Sequence, residues 1–313
     1  MTYSSGGLIQ ATDYNNFAGG AAANVSGQVN SVLATGCGNS GYGQTAIANV
    51  NTGTDIVTAA QWTTLVNGIN KVRKHQSGAG FTNIGTYTAG ATINAVTDIA
   101  SNANSAYANR LSYTAQGSTT TGATFSPNFT LAATTAAQTF SFTRSCTFAS
   151  GDAARWFFNA GGQLNFVFIS GTNNDGTTRS ADLITLAVTN LGSKKVGFQD
   201  WTARTGTGGT LNTDLTFGYG YYAQSTSNLT VCQITATAYT YTGDNIKLYG
   251  STNGVQGSNA DNGSVFNFSV DLTSAAKSNF YNNSINITLN HRVDIIYPET
   301  TYLTNSWGTV TIT

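Results

Sequence analysis

The 313 residues carry 13 Lys and Arg against 13 Asp and Glu, a formal net charge of zero, and only 8% of the chain is charged, where roughly 25% is usual. A 40% hydrophobic share with 11% aromatics excludes a disordered chain. Two prolines exclude collagen, and the missing basic excess excludes a nucleic-acid binder that works by neutralising phosphates. No apolar run reaches the roughly 18–20 residues of a membrane span, and a net charge near zero favours association.

Length sets a prior of about two domains, and the pattern changes near residue 118: the apolar period is helical before it and two after it. A first helix is expected from about Thr12 to Leu33, where Tyr14, Ala18, Ala21, Val25, Val29 and Val32 form one stripe. Gly19, Gly20 and Gly27 weaken it by about 1 kcal/mol each, so packing must hold it, and Gly36 suits a left-handed cap. A second helix opens on the capping box Thr58-Ala-Ala-Gln61. It buries Trp62, Leu65, Val66, Ile69 and Val72, and ends before Gly78 with Lys71, Arg73, Lys74 and His75 in its last turns. These cations read as partners of the helix dipole rather than as an anion site. A third helix is expected over about Thr92–Tyr113. The Ala- and Gly-rich stripes are thin for a small antiparallel bundle, which tilts the expectation toward docking on neighbouring subunits.

Gln116–Ala123 reads as a linker. Beyond it, Phe140, Phe142, Cys146 and Phe148, then Phe266, Phe268, Val270 and Leu272, then Ile285, Ile287, Leu289, Val293 and Ile295 alternate with polar residues, as half-buried strands do. Arg155–Ile169 reads as a hairpin turning at Asn159–Gly162. Further strands are expected at Leu183–Asn190, Thr216–Ala223, Leu229–Tyr241, Ile246–Tyr249 and Thr309–Thr313, with long loops at Thr205–Thr213 and Gly250–Ser264. The fold class is therefore α+β: a helical docking region over 1–115, a linker over 116–124, and an antiparallel β-sandwich over 125–313. Threonine, about one residue in six, is β-branched yet uncharged. It suits strand faces that another surface can cover at little desolvation cost.

No catalytic set emerges. The acids form no recurrent pair, and His291 falls on the apolar register while Asp294 points to the opposite face, which favours a hydrogen-bonded core histidine over a general base. Cys37, Cys146 and Cys232 lack metal or disulfide spacing and read as free, mostly buried thiols. Asn173–Gly176 and Asn259–Gly263 carry oxygen ligands loosely like calcium loops, but they also carry the default turn residues. No cofactor or metal is expected. The rival to a packing role is a carbohydrate-binding surface. Trp156, Trp201, Trp307, Tyr239, Tyr241 and above all Tyr219, Tyr221 and Tyr222 could stack on sugars, or could serve as cross-strand pairs in a core or interface.

Two stretches together resemble virion structural proteins of tailed bacteriophages of the marine and cyanobacterial type. The first is Tyr3–Asn15 with Gly41-Tyr-Gly-Gln44, Thr58–Trp62, Ile69-Asn70 and His75-Gln76. The second is Ala154-Arg-Trp-Phe-Phe-Asn-Ala-Gly-Gly-Gln163. The resemblance covers the first 80 residues and the start of the sandwich, and carries no catalytic residue. It implies a virion component. The expectation is thus a non-enzymatic virion protein, of the tail or a decoration or appendage, that assembles into symmetric oligomers. Its partners would be copies of itself and other virion proteins, without nucleic acid or a membrane span. The start of the chain has neither the basic nor the apolar region of a signal peptide, in keeping with synthesis in the host cytoplasm and residence in the virion. A carbohydrate-binding adhesin or receptor-binding fibre that contacts a host surface glycan, and a microbial extracellular filament subunit, are the alternatives. Tyr219, Tyr221, Tyr222 and Trp201 are the candidate contact residues.

Overall fold

The computed structural model describes residues 10–53, 55–93, 95–132, 135–237, 242–256, 262–276 and 284–313. The first expected helix is broken in two, α1 (Ala11–Ala18) and α2 (Asn30–Leu33). Gly19 takes φ 74°, and a Cβ there would meet the Gln28 side chain at 2.4 Å, so the glycines end the helix that the apolar stripe alone would continue. The helix α3 (Ala59–Ser77) forms as expected. Thr58 Oγ1 accepts from Gln61 N, Gln61 answers the Thr58 N–H, and Gly78 follows the last turn. Its stripe is buried, with Trp62 packed edge-on against Tyr14 at 5.3 Å. The third helix is shorter than expected, a π-helical turn at Ala95–Ala100 running into α4 (Ser101–Ala108). These helices pack on the chain's own core, which is continuous with that of the sandwich: Tyr14, Ala18, Val29, Val32, the α3 stripe and Ala103 are buried in it, and Ile93, Ala100, Tyr107 and Leu111 lie against it.

Two antiparallel sheets follow. The first has the order β1 (Gln116–Thr120), β10 (Ile285–Pro298), β4 (Gln163–Asn173), β5 (Ser193–Val196), with β2 (Asn128–Leu131) also on β10. The second runs β11 (Thr311–Ile312), β3 (Gln138–Thr147), β9 (Val265–Ser274), β8 (Asn245–Thr252), β7 (Leu229–Thr235), β6 (Thr210–Asp214). The expected linker thus opens with an edge strand, and β6 starts within the expected 205–213 loop. Inner faces meet through aromatic contacts such as Phe166 with Phe268 at 5.6 Å and Phe142 with His291 at 4.4 Å, as in a packed sandwich. Along one side, Lys194 of β5 is wholly buried and pairs with Asp214 of β6, which joins the edges of the two sheets.

Two helices lie inside the sandwich region. Arg155–Asn159 is not a hairpin arm but part of α5 (Gly151–Asn159), and Leu183–Asn190 is not a strand but the end of α6 (Thr178–Thr185) with a π-helical turn at Leu186–Leu191. Each helix starts on a hydroxyl cap: Ser150 Oγ accepts from Ala153 N at 3.0 Å, and Thr177 Oγ1 from Ser180 N at 3.2 Å. Such caps outweigh the strand preference of Trp-Phe-Phe and Leu-Ile-Thr.

The helix α5 ties the N-terminal region to the sandwich. Arg155 Nη1 donates to Thr35 O at 2.7 Å and Ser40 O at 2.6 Å, while its Nη2 pairs with Asp152 at 2.6 Å. Trp156 Nε1 also donates to Thr35 O, and Asn159 Nδ2 to Gly41 O. The 35–44 loop can accept them because Gly36, Gly38, Gly41 and Gly43 take positive φ. At Gly43 a Cβ would lie 2.3 Å from the Trp156 ring. Replacing Arg155 by Met leaves the Ser40 carbonyl without that donor in a buried site. The expected loss is about 2–4 kcal/mol in urea unfolding, against about 1 kcal/mol for Trp156→Phe, which removes one of two donors to Thr35 O.

Candidate functional site: an aromatic turn beside a polar cleft

The run Phe217-Gly-Tyr-Gly-Tyr-Tyr222 is not the expected strand. It is a turn followed by a 3-10 turn at Tyr221–Ala223. Its backbone is fastened to the 197–200 loop: Gly220 N donates to Gln199 O at 2.8 Å, Tyr221 N to Gly197 O at 2.9 Å and Tyr222 N to Phe198 O at 3.1 Å, while Gly218 N reaches Asp200 Oδ1 at 3.2 Å. Gly220 is needed for this approach, since a Cβ there would stand 2.5 Å from Asp200 N.

The four aromatics singled out in the sequence divide into two roles. Trp201 and Tyr221 are buried, which counts against both as sugar platforms. Trp201 Nε1 donates to Tyr219 O at 2.8 Å, and its ring packs on Phe266 and Phe268. Tyr221 stacks on Phe158 at 4.2 Å and donates its hydroxyl to Gly263 O at 3.1 Å. They form the base from which Tyr219 (45% exposed) and Tyr222 (44%) face solvent, joined by Phe217 (78%). Trp307 is buried, Trp156 belongs to the α5 junction, and Tyr239 and Tyr241 lie outside the described residues.

Beside this turn lies a cleft of about 230 Å³. Phe198, against which Tyr222 packs at 5.6 Å, is part of its wall. Exposed Gln199 and Asp200, with Thr202, supply hydrogen-bonding groups. Tyr113 OH accepts from Gln163 Nε2 at 3.1 Å, and Gln163 Oε1 has no hydrogen-bond partner. Gly161 and Gly162 let rings close over the backbone, since a Cβ on Gly161 would lie 2.5 Å from Tyr113 and one on Gly162 2.7 Å from Phe157. Sequence reasoning missed Phe217, Asp200, Gln199, Tyr113 and Gln163 as members of one site. The available signal was the pair of glycines at 218 and 220, which weakens a strand and suits a turn.

Elsewhere the candidate chemistry serves the fold. Arg144 Nε donates to His291 Nε2 at 2.8 Å while Nδ1 faces Leu289 O, so His291 is neutral with its proton on Nδ1. Asp294 is engaged instead by Arg292 and by Gly122 N. His75 Nε2 donates to Ala160 O at 3.1 Å beside the Tyr42 ring. Of the basic helix end, Lys71 reaches Gln44 Oε1 and Arg73 and Lys74 lie over Phe81 and Tyr302. Asn173 and Asp175 form a turn, accepting from Gly176 N and Thr177 N. The second Asn/Asp loop falls partly outside the described residues. Cys146 and Cys232 are free, buried thiols, and burial pushes the Cys232 thiol up to about 11. Among the described residues, no group of three or more His, Cys, Asp or Glu stands together as a metal site, and no helix is long and apolar enough to cross a membrane. Comparison with protein-family models, curated proteins and solved structures returns no match.

Burial holds both histidines down to about 4, with the Arg144 charge adding to the effect at His291. The unfolded chain protonates them near 6.5. Their contribution to stability is complete above that pH and is lost as pH falls toward 4, on the order of 2–3 kcal/mol apiece. Urea midpoints should fall steeply between pH 7 and 4, and His75→Gln should flatten the profile.

Proposed function

We propose that this chain is a non-enzymatic structural component of a tailed-phage virion, in the tail or a decoration or appendage, assembling into symmetric homo-oligomers. One observation carries the reading: the outer face of β3, β9 and β8 is a hydrogen-bonded array of mostly uncharged side chains, in which Asp271 and the Lys247 opposite it are the charged members. Thr139 pairs with Thr273 at 3.0 Å, Ser141 with Asp271 at 2.6 Å, Thr143 with Ser269 at 2.8 Å and Ser145 with Asn267 at 2.8 Å. Tyr249 OH closes onto the second oxygen of Asp271 at 2.9 Å. A face whose polar groups already answer one another is covered at a lower desolvation cost than one studded with lysine and glutamate. The sequence resemblance supports the particle in which it would be covered, because its motifs include the residues that join the two regions: Gly41, Gly43, Arg155, Trp156 and Asn159.

The test is sedimentation of the full chain over a concentration series, with antibody labelling of purified particles. Oligomers that dissociate in the double variant Thr139→Lys, Thr143→Lys, at an unchanged thermal midpoint, are expected. A monomer at the highest soluble concentration, or particles that carry no label, would overturn the proposal.

A further inference from the structure

We propose that the cleft walled by Phe198, Gln199 and Asp200, with the exposed rings of Tyr219 and Tyr222 beside it, binds an uncharged saccharide. The site goes beyond the assembly role, which does not require it.

Three features point to this ligand class. The turn is rigid by construction, since its backbone donors are bonded to the 197–200 loop and buried Trp201 and Tyr221 anchor it from below. Such a turn holds Tyr219 and Tyr222 partly exposed without the conformational freedom that a mobile loop would lose on binding. Flat rings that carry a hydroxyl match the face of a sugar, which is apolar across its C–H groups and polar at its rim.

The cleft wall then limits the charge of the ligand. It contains no Lys, Arg or His and one acid, Asp200, with Gln199, Thr202 and the Tyr113–Gln163 pair as neutral partners. This set offers acceptors and donors for hydroxyl groups but nothing to neutralise a phosphate, sulfate or uronate. At about 230 Å³ the cleft is below the roughly 300–1,000 Å³ of pockets that engulf drug-sized ligands. It therefore takes one unit or one end of a glycan, with neighbouring units lying over the tyrosine rings. A protein partner would find little here, because the aromatic rings surround a polar notch of Gln199, Asp200 and Thr202.

The experiment applies the full chain to an array of bacterial-surface oligosaccharides containing neutral, N-acetylated, uronic and sulfated members. Neutral members should bind, and titration of the strongest should weaken about tenfold in Tyr222→Ala, the equivalent of about 1.4 kcal/mol. Asp200→Asn keeps the acceptor for Gly218 N and should weaken binding without lowering the thermal midpoint, while Leu211→Ala, an exposed apolar residue on β6, should change nothing. Binding to no member, binding confined to acidic members, or binding indifferent to Tyr222→Ala would overturn the proposal. So would a Tyr222→Ala variant whose only change is in sedimentation, which would make the turn a contact between copies. None of these glycan results bears on the oligomer formed through the β3–β9–β8 face, so the two proposals fail separately.

Discussion

Arg155 brings a full positive charge into a site almost without solvent, and two carbonyls of a glycine loop and one carboxylate answer it. A buried guanidinium is tolerated only where its fork of donors meets oxygens in good geometry. Here those oxygens exist because positive φ at Gly36, Gly38, Gly41 and Gly43 turns the 35–44 loop into a compact shape. The same loop leads to Gln44, whose Oε1 takes Thr304 N at 2.9 Å and Lys71 Nζ at 2.9 Å, and to Tyr42, whose hydroxyl reaches Arg110 O. One loop therefore fixes α3, the stretch after α4, α5 and the C-terminal strap. Removing its centre would free the helices and the sandwich from each other.

That dependence explains why the resembling stretches lie so far apart in sequence. Arg155, Trp156 and Asn159 face the loop through Thr35, Ser40 and Gly41. At the other end of the same stretch, Gly161, Gly162 and Gln163 leave α5 and line the cleft. A short motif thus does two jobs, docking at its start and shaping a concave surface at its end. The position of the Tyr219–Tyr222 turn above that surface follows from Phe158, the residue on which Tyr221 stacks.

Much of the architecture was legible where local rules act alone. The α3 capping box, the strict alternation of β9 and the alternation of β10 from Ile285 to Val293 each have a single reading, because one face meets the core there. The missed elements are those where two local rules compete. Trp-Phe-Phe prefers strand, but Ser150 four residues ahead of Ala154 caps a helix whose buried side is Ala153, Ala154, Phe157 and Phe158. The Val25 position continues a helical stripe, but Gly19 and Gly27 at φ 74° and 80° break it and leave Val25 exposed. The cleft was illegible for a different reason: Tyr113, Gln163 and Asp200 are brought together by contacts between two loops and the start of β4, and no spacing in the chain encodes that meeting.

The low charge has a distribution as well as a total. Arg155, Arg179, Lys194 and Asp244 are among the buried residues, and Lys194 and Asp214 join the two sheet edges. Charge that is spent inside is not on the faces, which leaves mostly hydroxyl and amide pairs, around Asp271 and Lys247, to cover the outer register of β3, β9 and β8. A buried ion pair adds little net stability but penalises wrong registers, because a slipped strand would strand Lys194 without its partner. The few charges thus contribute to a unique alignment of the sheets. That alignment in turn keeps a threonine or serine opposite a hydrogen-bonding residue at each outward step of β3 from Thr139 to Ser145, the arrangement that lets the face be buried against another surface.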